Sequence, residues 1–378
     1  MTAASRWFAS VVGREALPAP GEWADGAGGP WPDVRRTLLT YRDEITATIA
    51  SRSTQTNEVN RSVYVLTMLA LAGADVSEPT TAPHLPGARL PLPVALVEPG
   101  CSAGLLMTPD RYDVRIGGDP ALSWGDPGSG VHVDGDDRTL GDDVPLAARH
   151  VTPPPIVARV GLDLAPVRLD ATDELRWLQA CLWPDVPGRV ERFEAAVRQH
   201  RLEREAGDAT AGQTTTELLT GDITDPHALS KALQQAVRQA ERAGHEAVTF
   251  GPAGHGGLAA QSQARREPSM PVVSPALHVV VLTSWAMTYV ERSERRRIAS
   301  VLGGFAASTG LPVTWCGAEP AGGMPGLGEL PEPLASSSKE GITVLAARRW
   351  RAGREDTPII WGTADPHGRW IRLLPLPR

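Results

Sequence analysis

Cysteine is scarce. Cys101, Cys181 and Cys316 are the only three in 378 residues, and they lie far apart. An odd number without paired spacing gives neither a disulfide framework nor a metal-ligand pattern, and it suits a reducing cytoplasm. No apolar run approaches the ~18 residues of a membrane span, and no basic-then-apolar leader opens the chain. Positive charge is not in excess. The formal net charge is −7 and the pI is near 5.8, which disfavours a dedicated nucleic-acid binder and a protein held on anionic lipid. The chain also lacks the Gly-Lys-Ser/Thr of a phosphate-binding loop and the full Gly-x-Gly-x-x-Gly of a dinucleotide site. ATP hydrolysis and hydride transfer are therefore disfavoured. These absences predict a soluble, cytoplasmic protein with no metal, nucleic acid or membrane involved.

What is present is globular: 42% hydrophobic and 21% charged residues, in a chain long enough for one large domain or a domain with an added lobe. The organising stretch runs from Leu92 to Leu106. Its apolar run ends at Glu98, followed by Gly100 and Gly104. That pattern predicts a buried parallel strand turning sharply into a helix, with Glu98 at the edge where open α/β sheets bind ligands.

Around it the sequence predicts two parts. Residues 1–90 read as an N-terminal helical cap. Within it, Asn57, Glu58 and Arg61 form either a helix-capping loop or a polar cluster reaching over a ligand site. Residues 91–378 read as a Rossmann-like α/β domain with insertions at about 110–155 and 251–275. Short alternating pieces such as Tyr112–Ile116 suggest inserted hairpins, and Asp134, Asp136 and Asp137 read as a solvated turn. Ile156–Leu164 and Thr216–Asp222 read as further strands. Leu277–Leu282 is the most strand-like run, and Leu311–Cys316 follows a helix at Ser293–Ser308. A helical stretch from Thr172 to His200 is expected to kink at Pro184 and Pro187. Another helix opens with Asp225 as cap and Pro226 in its first turn. Three antiparallel strands close the chain, so the fold class is α/β: a mostly parallel sheet with antiparallel C-terminal edge strands.

Acids close three predicted strands: Glu98, Asp163 and Asp222. With a glycine turn, such a set suits a nucleoside-containing ligand, whose ribose hydroxyls and amino group need carboxylate acceptors.

Several motifs then carry a resemblance. They are Gln55-Thr56-Asn57-Glu58 with Arg61, Glu98-x-Gly-x-Ser-Ala-Gly-Leu, Asp110-Arg111-Tyr112 and Trp124-Gly125-Asp126. Arg159-x-Gly-x-Asp-Leu-Ala-Pro166, Trp177-Leu178, Cys181-x-Trp183-Pro184-Asp185, Gly221-Asp222, Ser284-Trp285 with Tyr289, and His367-Gly368-x-Trp370 extend it from about Trp7 to Leu374. The sequence resembles the DUF2332 family, actinobacterial proteins of undetermined general function. The resemblance implies a relation to S-adenosylmethionine-dependent methyltransferases and a methyltransferase-type Rossmann-like fold. Two positions depart from the family's usual pattern: Leu106 replaces an Asn, and Thr283 stands where a His is frequent.

On that resemblance, S-adenosylmethionine would lie against Glu98, Gly100, Ser102, Gly104, Asp163, Asp222 and Ser284. The substrate would meet Asn57, Arg61, Trp285 and Tyr289. Glu58, Asp222 and His255 are the candidate proton acceptors, with His367 as a further candidate; each histidine also has a structural reading in a loop or turn. The expected activity is methyl transfer to an amine or hydroxyl of a small molecule, which requires alignment and exclusion of water. A second reading is a cofactor-free relative that cyclises an amine with loss of an anionic leaving group. A third is a non-catalytic binding or scaffold protein, with a protein partner or a second copy at the Trp177–Trp183 region, where core packing is the other account.

Overall fold

Ser62–Asp75 is a helix whose first twelve residues are all buried, so it reads as apolar all round because it has no solvent face. The computed structural model describes residues 31–55, 57–79, 89–117, 122–139, 152–182, 188–207, 215–249, 277–331, 334, 341–351 and 353–374. The predicted insertion at 251–275 with His255, the Pro184–Pro187 kink and Trp183 lie outside them. Helices α1 (Trp31–Thr40) and α2 (Arg42–Ser51) precede the buried helix, α3. Ile45 of α2 packs on Trp177, whose indole N–H donates to Ser53 O at 2.8 Å.

Two short strands, β1 (Ser77–Pro79) and β2 (Arg89–Pro91), pair antiparallel with each other. The main strands follow: β3 (Val94–Pro99), β4 (Asp113–Ile116), β5 (Leu122–Gly125), β6 (His132–Asp137), β7 (Ile156–Asp163) and β8 (Thr216–Thr220). After them come β9 (His278–Ser284), β10 (Val313–Glu319), β11 (Thr343–Arg351), β12 (Arg354–Glu355), β13 (Ile359–Ala364) and β14 (Trp370–Leu373). They form a mixed, mostly parallel twelve-stranded sheet in the order β5-β4-β6-β14-β13-β11-β10-β9-β3-β7-β8, with β12 added against β11. Helices α4 (Thr172–Cys181) and α5 (Arg189–Gly207) connect β7 to β8. Helix α6 (Pro226–Thr249) connects β8 to β9, and α7 (Arg292–Thr309) connects β9 to β10.

The layering follows from alternation along strands buried on both faces. Val94 and Leu96 of β3, with Val280 and Leu282 of β9, face α3, α4 and α5. Ala95, Val97, Val279 and Val281 face α6 and α7. Burying Leu66, Met68 and Leu69 of α3 contributes about 2 kcal/mol each. Asp225 caps α6 as expected, accepting from the His227 N–H at 2.9 Å. No helix among the described residues is long and apolar enough to cross a membrane.

Four expectations are corrected. The C-terminal antiparallel strands are not edge strands, because β6 pairs in parallel with β14 and carries β4 and β5 outward. Asp134, Asp136 and Asp137 lie on β6 rather than in a turn. Val133 and Gly135 point inward there, Asp134 and Asp136 outward, and Asp137 is half-buried at the strand's end. The single stretch from Thr172 to His200 is two helices, α4 and α5. Finally, no α-helix follows the glycine turn: Leu105–Met107 and Pro109–Arg111 are short 3-10 turns. Leu105, Leu106, Met107 and Pro109 are all buried, and Pro109 cannot continue a helix from the turn before it.

Candidate functional site

The order of the parallel strands reverses between β3 and β9, and loops leaving two such neighbours diverge to leave a crevice. Val97 pairs with Val281, so the turns beginning at Gly100 and Ser284 meet at the same edge. Gly100 has φ +79°, and a Cβ there would lie 2.8 Å from Ala286 Cβ. Ser102 and Trp285 are the two described non-glycine residues with left-handed φ, +52° and +62°. Such backbone costs of order 1–3 kcal/mol and clusters at ligand sites.

The glycine turn is stitched to its neighbours. Gly100 N–H donates to Leu162 O at 2.7 Å, Ser102 N–H to Asp163 Oδ2 at 2.8 Å, and Gly104 N–H to Cys101 O at 2.8 Å. Gly104, at φ +74°, packs toward Met107 and Leu218 rather than toward the crevice. Arg159, buried in β7, donates to Met107 O and Asp110 Oδ2, each at 2.7 Å, and Tyr112 OH donates to Leu105 O at 2.7 Å. The Asp110-Arg111-Tyr112 and Arg159 motifs therefore fasten the segment after the turn.

A cavity of about 440 Å³ opens at this edge. Its walls include Gly100 and Ser102 from the first turn, Asp163 at the end of β7 with Leu164 and Ala165 after it, and Asp222 to Thr224 after β8. Ser284, Trp285 and Tyr289 close the far side, and Ser53 to Gln55 lie above with Arg61. Both Asp163 oxygens are engaged, Oδ2 by Ser102 N–H and Oδ1 by Ala165 N–H at 3.0 Å. Asp222 accepts the Thr224 N–H and hydroxyl through Oδ1 alone, both at 2.8 Å, and is exposed. Leu164 and Tyr289 are 70% and 86% exposed, which gives the mouth an apolar rim.

Beside it lies a chamber of about 20 Å³ lined by Asn57, Glu58, Arg61, Glu98, Leu106 and Ser284, among others. Arg61, Gly100 and Ser284 border both spaces. Glu98 is buried at the end of β3, and among the described residues its Oε2 has no hydrogen-bond partner. Burial pushes its carboxyl well above the usual carboxylate range; Asp163 adds to this and Arg61 opposes it. Arg61 donates through Nε to Pro366 O at 3.0 Å and lies 3.4 Å from Ser284 O and Oγ. Tyr64 OH, 2.9 Å from Ser284 Oγ, is pushed up to about 12, chiefly by burial.

Glu58 faces the chamber but is committed elsewhere. Arg189 Nε is 2.6 Å from its Oε2, Arg192 Nη2 is 3.9 Å from Oε1, and Asn60 N–H donates to Oε1 at 3.2 Å. His367 Nδ1 lies 3.8 Å from the same carboxylate and 3.3 Å from Arg189 Nη2. Its pKa is pulled down to about 4 by burial and by Arg189 and Arg61, so it accepts from Arg189 as a neutral ring.

Of the residues expected at a site, Gly100, Ser102, Asp163, Asp222, Ser284, Trp285, Tyr289 and Arg61 border the larger cavity. Asn57, Glu58 and Glu98 border the chamber, and Gly104 borders neither. Asn57 Nδ2 donates to Ser102 Oγ at 3.0 Å, which joins the N-terminal loop to the glycine turn. His255 lies outside the described residues. Leu106 lines the chamber, whereas Thr283 is buried and accepts from the Trp315 indole at 3.1 Å. One neighbour was not anticipated. Glu319, at the end of β10, accepts from Met287 N–H at 3.2 Å and holds the turn bearing Trp285 and Tyr289. A strand-end acid was the available signal, but the apolar run ends at Cys316 and the strand runs three residues further.

A model of a family described as uncharacterized protein conserved in bacteria (DUF2332) matches residues 14–241 and 266–372. The chain belongs to the DUF2332 family. No curated protein and no solved structure matches it. Of the motifs that carried the resemblance, some line the cavity and others, such as Arg159 with Asp110, fasten the segment beside it.

Proposed function

We propose that this DUF2332 protein is a small-molecule group-transfer enzyme of methyltransferase type, moving a methyl group from S-adenosylmethionine to an amine or hydroxyl. The observation that carries the reading is the cavity at the β3–β9 reversal, bordered by carboxylates from the next two strand ends. The parallel strands run β8-β7-β3-β9-β10, the 3-2-1-4-5 order of doubly wound nucleoside-binding sheets.

The glycine turn narrows the ligand. Its Gly100, Ser102 and Gly104 N–H groups are spent on protein acceptors, and no α-helix N-terminus follows. A phosphate-bearing cofactor finds little to cradle it there. A nucleoside sulfonium has no phosphate, and its positive charge suits walls bearing Asp163 and Asp222. These residues fit it: Asp222 and Asp163 for the ribose and amino group, Leu164 and Ile223 for the base, and Arg61 with Ser284 for the amino-acid end. When bound, it supplies an activated methyl carbon. The chain's part is to align the nucleophile with that carbon, and the rim of Tyr289, Trp285 and the Ser53–Gln55 loop excludes water.

Isothermal titration calorimetry tests this reading. S-adenosylmethionine and S-adenosylhomocysteine should both bind, and Asp222→Ala should weaken both about tenfold, or about 1.4 kcal/mol. No heat from either at millimolar concentration removes it. One observation favours the cofactor-free cyclisation as a second reading. Glu98, held above the carboxylate range beside Arg61, is suited to protonate an anionic leaving group. That reading gains if neither compound binds.

A further inference from the structure

Buried carboxyl oxygens are rarely left without a partner. Glu98 Oε2 is such an atom, and it lines a chamber of about 20 Å³. One water needs roughly 10–15 Å³ of such space and two or more polar neighbours. Asn57, Arg61 and Ser284 stand around it, so the chamber is both large enough and polar enough for a single water. Three of its lining residues, Arg61, Gly100 and Ser284, are also walls of the larger cavity. A water there would sit between Glu98 and whatever occupies the substrate space. Glu58, the other carboxylate facing the chamber, is engaged by Arg189 and by the Asn60 N–H.

The geometry points to Glu98 as the group that takes up the proton released when the substrate's amine or hydroxyl is methylated, through one water seated in the chamber. This rests on the methyltransferase reading. As the nucleophile's lone pair forms the new bond to the methyl carbon, the carbon–sulfur pair stays with sulfur. The N–H or O–H proton passes to the water, which gives one of its own to the Glu98 carboxylate.

The groups around Glu98 prime it. Burial and Asp163 at the end of β7 favour its protonated form, and Arg61, ahead of α3, opposes them. The Cys101 thiol in the turn is itself raised, chiefly by burial. Glu58 faces the same chamber as an ion pair with Arg189. A sulfonium arriving in the next cavity adds a second positive charge, which favours the ionised carboxyl. Cofactor binding would thus expel the Glu98 proton and leave a carboxylate ready to receive one.

The experiment is calorimetric titration of the whole chain, near neutral pH, in two buffers of different ionisation enthalpy. S-adenosylmethionine is compared with S-adenosylhomocysteine, which has the same nucleoside and amino-acid ends but no positive sulfur. The sulfonium should release more protons than the thioether, by up to about one per site. In Glu98→Gln, both ligands should bind and the difference should vanish. Equal proton counts for the two ligands in the wild type overturn the inference alone, leaving the proposed function in place. So does a difference that persists in Glu98→Gln. Failure of both ligands to bind removes the proposed function and the relay with it. The wild-type comparison stands even if the variant does not fold.

Discussion

Glu319 offers the sharpest test of the architecture around the cavity. Its carboxyl is raised from 4.5 to about 7, chiefly by burial, against hydrogen bonds from Thr283, Met287 and Ala286 and the charge of Arg61. Below about pH 4.5 the folded and unfolded chains both carry the proton, and the contribution to stability is fully present. As the pH rises toward 7 the unfolded chain releases its proton first, so this contribution is lost. At about 1.4 kcal/mol for each tenfold difference in proton affinity, the interval from 4.5 to about 7 amounts to about 3 kcal/mol. Glu319→Gln keeps the shape and an oxygen for Met287 N–H but cannot titrate. Denaturant unfolding of both proteins, at steps from about pH 4.5 to about pH 8, isolates the difference because the other carboxyls cancel. The wild type should lose about 3 kcal/mol relative to the variant across that range. Parallel stability curves would refute a buried, protonatable Glu319, and with it the account of how the Trp285–Tyr289 wall is held.

Two further substitutions address the turn and the ion pair. Gly100→Ala places a methyl group on a left-handed backbone, 2.8 Å from Ala286 Cβ. It should lower stability by about 2 kcal/mol and weaken ligand binding by displacing that wall, measured by thermal melts and calorimetry; an unchanged melt would contradict the close approach. Glu58→Gln removes the buried carboxylate charge that faces the Arg189 guanidinium at 2.6 Å. A loss of about 3–5 kcal/mol in denaturant unfolding is expected, and a variant as stable as the wild type would show that Glu58 is not structurally committed.

Much of the sheet was legible because its central strands are buried on both faces and so appear as apolar runs: Val94–Val97, Ile156–Leu162 with Arg159 alone interrupting it, and Val279–Leu282. Local chemistry also located the Asp225–Pro226 helix start. Other features were hidden. A glycine turn after a strand looks the same whether a helix or a 3-10 turn follows, and here the surroundings of Leu105–Pro109 select the latter. The alternation along β6 was overlooked among its acids, because nothing local shows that β4 and β14 flank it. Glu98 and Asp163 looked equivalent as strand-end acids. Their difference lies in which backbone N–H groups come within reach: Asp163 meets Ser102 and Ala165, while Glu98 keeps one oxygen unpartnered.

The sequence by itself determined the family, the α/β class and the acids at the strand ends, because hydrophobic periodicity and turn chemistry are local properties. Tertiary structure decided how those residues divide their work. Chain folding brought Asn57, Glu58 and Arg61 against the glycine turn. It committed Glu58 to Arg189 and left Glu98 facing a chamber of its own. Burial and the placement of opposite charges set proton affinity, and neither is written in the order of residues.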